Sequence, residues 1–377
     1  MNKREENNII KIKAEQDDYY SNDDIYDIKS WGADLSFREL IEMYKDNDLE
    51  KPELQRKYVW DRSEASRFID SILLGLPVPS IFLAKKTDEK MLIIDGYQRI
   101  MTVYDYVERG IFSGDGKTFK LTKNEKTNAR WRGKNFAELS ETEQRRIKTT
   151  TIHAIIFPQF QPRNSDSGMY QVFERINTSG RTLLPQEIRN CVYHGNLNKA
   201  LLELNKLEIW RTLYGLKEAD SRMRDMEFIL RYFAMRNKDF KTEDLVSISL
   251  KKFLNDFMGE QENNSEQRVT LFKNDFTKVI KQISTTLGST AFHNASSRFP
   301  DKLVNKFNPT IFDSISVATA IALDTKVAVP DDLDKRRWDL LRNTEYQDSI
   351  SIRTTNVDKI KLRISLALKY LYDLNYE

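Results

Sequence analysis

The sequence predicts an α+β protein in which a mixed α/β domain precedes a mainly α-helical one. Short apolar runs at Ile81 to Leu83, Met91 to Ile94 and Thr151 to Phe157 have the length and β-branched content of buried strands. From Asn196 onward apolar residues instead recur at three- and four-residue steps, the period of helices that bury one face. The division that follows is a polar, acidic arm over residues 1–34, a first domain over 35–195 and a helical domain over 196–377.

In the arm, Glu15, Asp17, Asp18, Asp23, Asp24 and Asp27 crowd together and large aliphatic residues are few. That composition suits a solvated tail; docking on a basic surface elsewhere is the alternative. The first domain opens at Ser36, which can cap a helix bearing Phe37, Leu40, Ile41 and Tyr44, with Glu39 placed as in a capping box. After a polar turn, Leu54, Tyr58 and Trp60 bracket the pair Gln55-Arg56. Asp61 or Ser63 then caps a helix with the stripe Ala65, Phe68, Ile69, Ile72 and Leu73, which Gly75 ends. Pro77 and Pro79 lead into the strand at Ile81, whose hairpin partner is Met91 to Ile94.

The stretch MLIIDGYQRIMTV carries the chemistry. A strand stops at Asp95, Gly96 permits a sharp exit, and Ile100, Val103, Tyr104 and Val107 set a helix that begins near Tyr97. Gln98 and Arg99 fall in its first turn, where free N–H groups, the positive end of the dipole and a guanidinium fork all suit phosphate oxygens. The same residues also fit a buried Asp95–Arg99 ion pair that merely stiffens the turn.

Between Glu108 and Thr150 the chain gathers Arg130, Arg132, Lys134, Arg145, Arg146 and Lys148 around Trp131. A basic, aromatic-containing loop can contact a nucleic-acid backbone, so these residues are candidate DNA contacts. Interleaved Glu138, Glu141 and Glu143 equally suit a solvated loop and helix. On the strand that follows, His153 reads as a structural histidine. Asp166 or Ser167 starts a helix with Tyr170, Phe173 and Ile176, and Pro185 starts another. The turn between them offers Asn177, Gly180 and Arg181 either to the same anion as Arg99 or to a helix corner held by Asn177. In the helical half, RMRDMEFILRYFAMR gives Met226, Ile229, Leu230 and Phe233 to a core and places Arg222, Arg224, Arg231 and Arg236 elsewhere.

Composition excludes several classes. The 60 Lys and Arg against 57 Asp and Glu leave +3, so any basic surface must be local. Cys191 is the only cysteine, which excludes an internal disulfide or a thiolate metal cluster and points to a reducing cytoplasm. No apolar run approaches the roughly 20 residues that span a bilayer, so no membrane partner is expected. The three histidines lack metal-like spacing, and neither a P-loop nor a GxGxxG turn is present. What remains is phosphate recognition by Gln/Arg pairs, with Asp95 available to hold Mg²⁺ or orient a water.

Taken in order, LQRKYVW, LPVPSIFL, IIDGYQRIMTV and FERINTSGRTLLPQEIRN resemble the ParB/sulfiredoxin-like family typified by the N-terminal part of GmrSD-type modification-dependent restriction enzymes and by SspE. The resemblance covers about Leu35 to Gly195. It implies a nucleoside-triphosphate (NTP) site in a ParB-like fold, with Mg²⁺-dependent hydrolysis coupled to sensing foreign or modified DNA. It implies that Asp95, Gly96, Gln98 and Arg99 line the phosphate and catalytic pocket, Asp95 holding the metal. Gln55 and Arg56 would support that pocket, and Asn177 would form its wall. The family's hallmark is Asp-Gly-Gln-Gln-Arg; Tyr97 replaces its first glutamine here. Such proteins often continue into a histidine-containing HNH-type nuclease domain, whereas this helical half has His293 alone, so an effector subunit is an implied partner. The alternative is a non-hydrolysing, nucleotide-switched or DNA-binding regulatory subunit that recruits a separate effector.

Overall fold

A computed structural model describes residues 8–12, 30–51, 58, 60–86, 88–158, 170, 174, 183–193, 195–238, 240, 246–299 and 301–376. The chain forms two compact units, one of residues 24–161 with 171–183, the other of residues 1–23, 162–170 and 184–377.

The first unit is built on β1 (Trp31–Ser36), α1 (Phe37–Lys45), β2 (Leu49–Glu50), α2 (Arg62–Leu74), β3 (Ile81–Lys85), β4 (Met91–Asp95), α3 (Tyr97–Tyr104), α4 (Glu141–Thr149) and β5 (Thr151–Pro158). A wider π-type turn, Asp105–Arg109, continues α3. The sheet order is β1-β5-β3-β4-β2. The pairs β1/β5 and β3/β4 are antiparallel, while β3/β5 and β2/β4 are parallel. Helix starts are locally specified: Ser36 with Glu39, Asp61 with Glu64 and Ser140 with Glu143 each form a reciprocal capping box. Phe37, Leu40, Ile69, Ile72, Leu83, Ile93, Ile100 and Val103 fill the core between helices and sheet.

β1 lies in the stretch read as part of the arm. Its order comes from pairing with β5, Trp31 opposite Ile156 through Ser36 opposite Thr151, a long-range contact without local signature. The arm's beginning also differs from a solvated tail or a segment held by a basic surface. Ile10 N–H donates to Phe307 O at 2.9 Å and Phe307 N–H to Asn8 O at 2.8 Å, while Ile9 and Ile12 are buried.

The second unit contains α5 (Pro185–Val192), α6 (Asn196–Asn205), α7 (Glu208–Tyr214), α8 (Arg224–Asn237), α9 (Leu250–Gly259), α10 (Glu266–Leu287), β6 (His293–Ala295), β7 (Leu303–Phe307), α11 (Pro309–Asp324), α12 (Leu333–Arg342), α13 (Thr344–Ser351) and α14 (Val357–Tyr372). Trp210, Tyr214, Phe228, Phe276, Phe307 and Phe312 pack edge-on and tilted in its core. Arg231 points into that core rather than away from it. It pairs with Asp313 on α11, Nε to Oδ1 at 3.2 Å and Nη2 to Oδ2, and Arg363 on α14 lies 3.6 Å from the same carboxylate. All three side chains are buried. The β6–β7 hairpin lies within a half that reads as almost wholly helical, because each strand is too short to show a period.

Candidate functional site

Gly96 makes the exit from β4. Its φ of +100° is left-handed, and a Cβ there would meet Ile81 Cγ2 at 2.2 Å, so the turn needs glycine for conformation and for space. Gly96 has no side chain to cap α3, and the first-turn N–H groups of a helix have no intrahelical acceptor, so the turn carries the positive end of the dipole. This donor geometry suits a phosphate.

Arg99 is held from two sides. Its Nη2 meets Asp95 Oδ2 at 2.5 Å, and its Nη1 donates to the carbonyls of Pro79 and Ser80, both at 2.7 Å. The guanidinium therefore fastens the loop before β3 to the turn after β4. It is mostly buried, with 11% of the side chain exposed against 27% for Asp95. The ion pair that the sequence offered as an alternative to an anion site is present, and it orients the carboxylate that a metal would need.

Gln98 faces a different neighbour. Its Oε1 accepts from Trp60 N–H at 3.3 Å, and one turn on, Thr102 Oγ1 is 2.6 Å from Tyr58 Oη. The C-terminal end of LQRKYVW is thus laid along α3. Gln55, Arg56 and Asn177 lie outside the described residues. Tyr58, Trp60 and Thr102 are neighbours that sequence reasoning did not assign to the site; the aromatic bracket around Gln55-Arg56 was their only signal.

Tyr97 is half-buried against the core of the first unit. Burial, the largest cause, pushes its hydroxyl up to about 12, with Tyr44 and Asp105 adding repulsion of the phenolate. Position 97 therefore offers the turn its backbone and not an amide side chain.

The basic region lies on other elements. From Lys120 to Lys148 nine Lys and Arg stand against four Glu. Arg130, Arg132, Arg145 and Arg146 are exposed and Lys134 is half-buried. Arg130 sits 5.4 Å over the Trp131 ring and 3.8 Å from Glu143, while Arg132 Nε donates to Thr127 O at 2.6 Å. Trp131 is no stacking surface: it is buried, and its Nε1 donates to Asp70 on α2 at 2.5 Å. It anchors the loop that displays the cations. His153 has its Nδ1 2.8 Å from Asp34 Oδ1 across β1 and β5, a surface pair.

Among the described residues no cluster of three or more His, Cys, Asp or Glu is placed to hold a metal. A Mg²⁺ here would rest on Asp95 together with phosphate oxygens and waters, the usual way this ion is held. Among the same residues no helix is long and apolar enough to cross a membrane. No curated protein and no solved structure matches the chain significantly. Residues 37–194 match the family model described as "GmrSD restriction endonuclease, N-terminal domain", which supports a GmrSD-type N-terminal domain over that stretch.

Proposed function

We propose that this chain is a component of a restriction-type defence system acting on foreign or modified DNA, and that its N-terminal domain, of ParB/sulfiredoxin-like type, binds a nucleoside triphosphate with Mg²⁺. The observation that carries the nucleotide reading is the glycine turn at Gly96 that opens α3, with Asp95 aimed by Arg99 at its side. In this reading the α3 N–H groups receive phosphate oxygens, Asp95 contributes to the metal, and Arg99 positions Asp95 and neutralises developing charge. Bound metal supplies Lewis-acid polarisation of the phosphate. The resemblance adds Gln98, Gln55, Arg56 and Asn177 to this pocket, and a separate effector subunit does the cutting.

Titration calorimetry with ATP, GTP, CTP and UTP plus Mg²⁺, with phosphate release followed in the same samples, tests this. Wild type should bind one or more of them and release phosphate, and Arg99→Ala should lose both; retained turnover in Arg99→Ala removes the assignment. Binding without release selects the second reading, a nucleotide-switched regulatory subunit, which the burial of Tyr97 favours.

DNA contact is assigned to Arg130, Arg132, Lys134, Arg145 and Arg146. Removing Arg145 and Arg146 together should flatten the dependence of log affinity for duplex DNA on log salt by about 0.9 for each phosphate that is no longer neutralised. An unchanged slope in a binding titration would place the DNA somewhere other than α4.

A further inference from the structure

We propose that the tip of the β6–β7 hairpin is a second nucleic-acid contact, one that takes an unstacked base on Phe299 and the flanking phosphates on Arg298, Lys302 and Arg342. The proposal rests on the reading that the chain acts on DNA, and it gives the helical unit a part in that action.

Phe299 is 52% exposed, although most phenylalanines of this unit are core residues. A tight turn holds it there: Ser296 N–H donates to Lys302 O at 2.8 Å, Lys302 N–H to Phe299 O at 2.8 Å, and Phe299 N–H to Ser296 Oγ at 3.2 Å. The ring is presented by a closed loop, so little ordering entropy remains to be lost on binding.

Two cations lie over this ring. Arg298 Cζ is 5.4 Å and Lys302 Nζ 5.5 Å from its centroid. On α12, Arg342 lies 5.4 Å over Trp338 and 2.8 Å from Asp301, the carboxylate of the turn. Arg342 offsets Asp301, so Arg298 and Lys302 leave the tip positive. Exposed cation–π pairs are weak beside base–aromatic stacking. A single strand exchanges them favourably, because each cation moves to a phosphate as the ring receives a base. An acidic peptide would satisfy the charge but offer the ring no flat partner, and a duplex keeps its base faces stacked.

The test uses the full chain and a fluorescein-labelled oligothymidylate, with a duplex of the same length and a poly-glutamate peptide beside it, read by anisotropy. Phe299→Ala should weaken oligothymidylate binding about fivefold or more while leaving the salt slope unchanged, and Phe299→Trp should restore it. Arg298→Ala with Lys302→Ala should flatten the slope by about 0.7 for each phosphate left without its cation. Equal binding by wild type and Phe299→Ala overturns the proposal while leaving the α4 region and the nucleotide site standing. Loss of poly-glutamate binding on Phe299→Ala, with oligothymidylate untouched, overturns it in favour of an acidic protein partner. Failure of wild type to bind either DNA overturns the DNA reading as a whole. Phe299 is exposed, so an unchanged melting temperature in each variant confirms that folding is not the cause.

Discussion

Asp313→Ala should destabilise the helical unit by about 3–5 kcal/mol, because it removes the buried carboxylate that Arg231 and Arg363 share. The cost comes less from the missing attraction than from cations left in a low-dielectric interior. Hydrogen exchange in α8, α11 and α14 as a function of urea measures it, since the two units need not unfold together. Replacing the triad as a whole, Arg231→Met with Asp313→Leu and Arg363→Met, should return most of that stability. A change below about 1 kcal/mol in Asp313→Ala would mean that water reaches the triad, and the account of its burial would fail.

Gly96→Ala should cost the first unit roughly 2–5 kcal/mol, combining left-handed strain of about 1–2 kcal/mol with overpacking of about 1–3 kcal/mol against Ile81. Gly110→Ala separates the two effects. Gly110 has φ +63° and nothing within 4 Å of its added Cβ, so strain alone acts there and about 1–2 kcal/mol is expected. Urea midpoints for the two variants should therefore differ. Equal midpoints would show that Ile81 yields to the new methyl group without cost.

Ser36 with Glu39, the stripe from Ala65 to Leu73 and the break at Asp95-Gly96 were legible because each is a local pattern whose physical cause lies within one turn. The α+β class followed from patterns just as local, the short apolar runs and the helical period after Asn196. Harder to see was anything decided by a distant partner. Trp31 to Ser36 has little strand character of its own and is ordered by β5. Arg231 follows a helical period that leaves it off the apolar stripe, yet a carboxylate on α11 draws it inside. At the candidate site the residues Asp95 to Arg99 were plain, but the carbonyls of Pro79 and Ser80 that hold Arg99 carry no side-chain signature. Trp131 misled because an aromatic among cations reads alike whether it faces solvent or Asp70.

The hydrogen bonds between Asn8–Ile10 and Phe307 join the start of the chain to its last third. During synthesis the first of these segments leaves the ribosome long before its mate exists, a wait of roughly 15–60 s for some 300 residues at about 5–20 residues per second. Until then Asn8 can reach Tyr214, whose carbonyl accepts its side-chain N–H at 2.7 Å, but the backbone pairing with Phe307 is missing. Asn8 to Ile12 therefore act as a closing piece of the helical unit, completed only when Phe307 is made. A truncation that removes Asn8 to Ile12 is a lesion in the helical unit, however remote those residues look on a linear map.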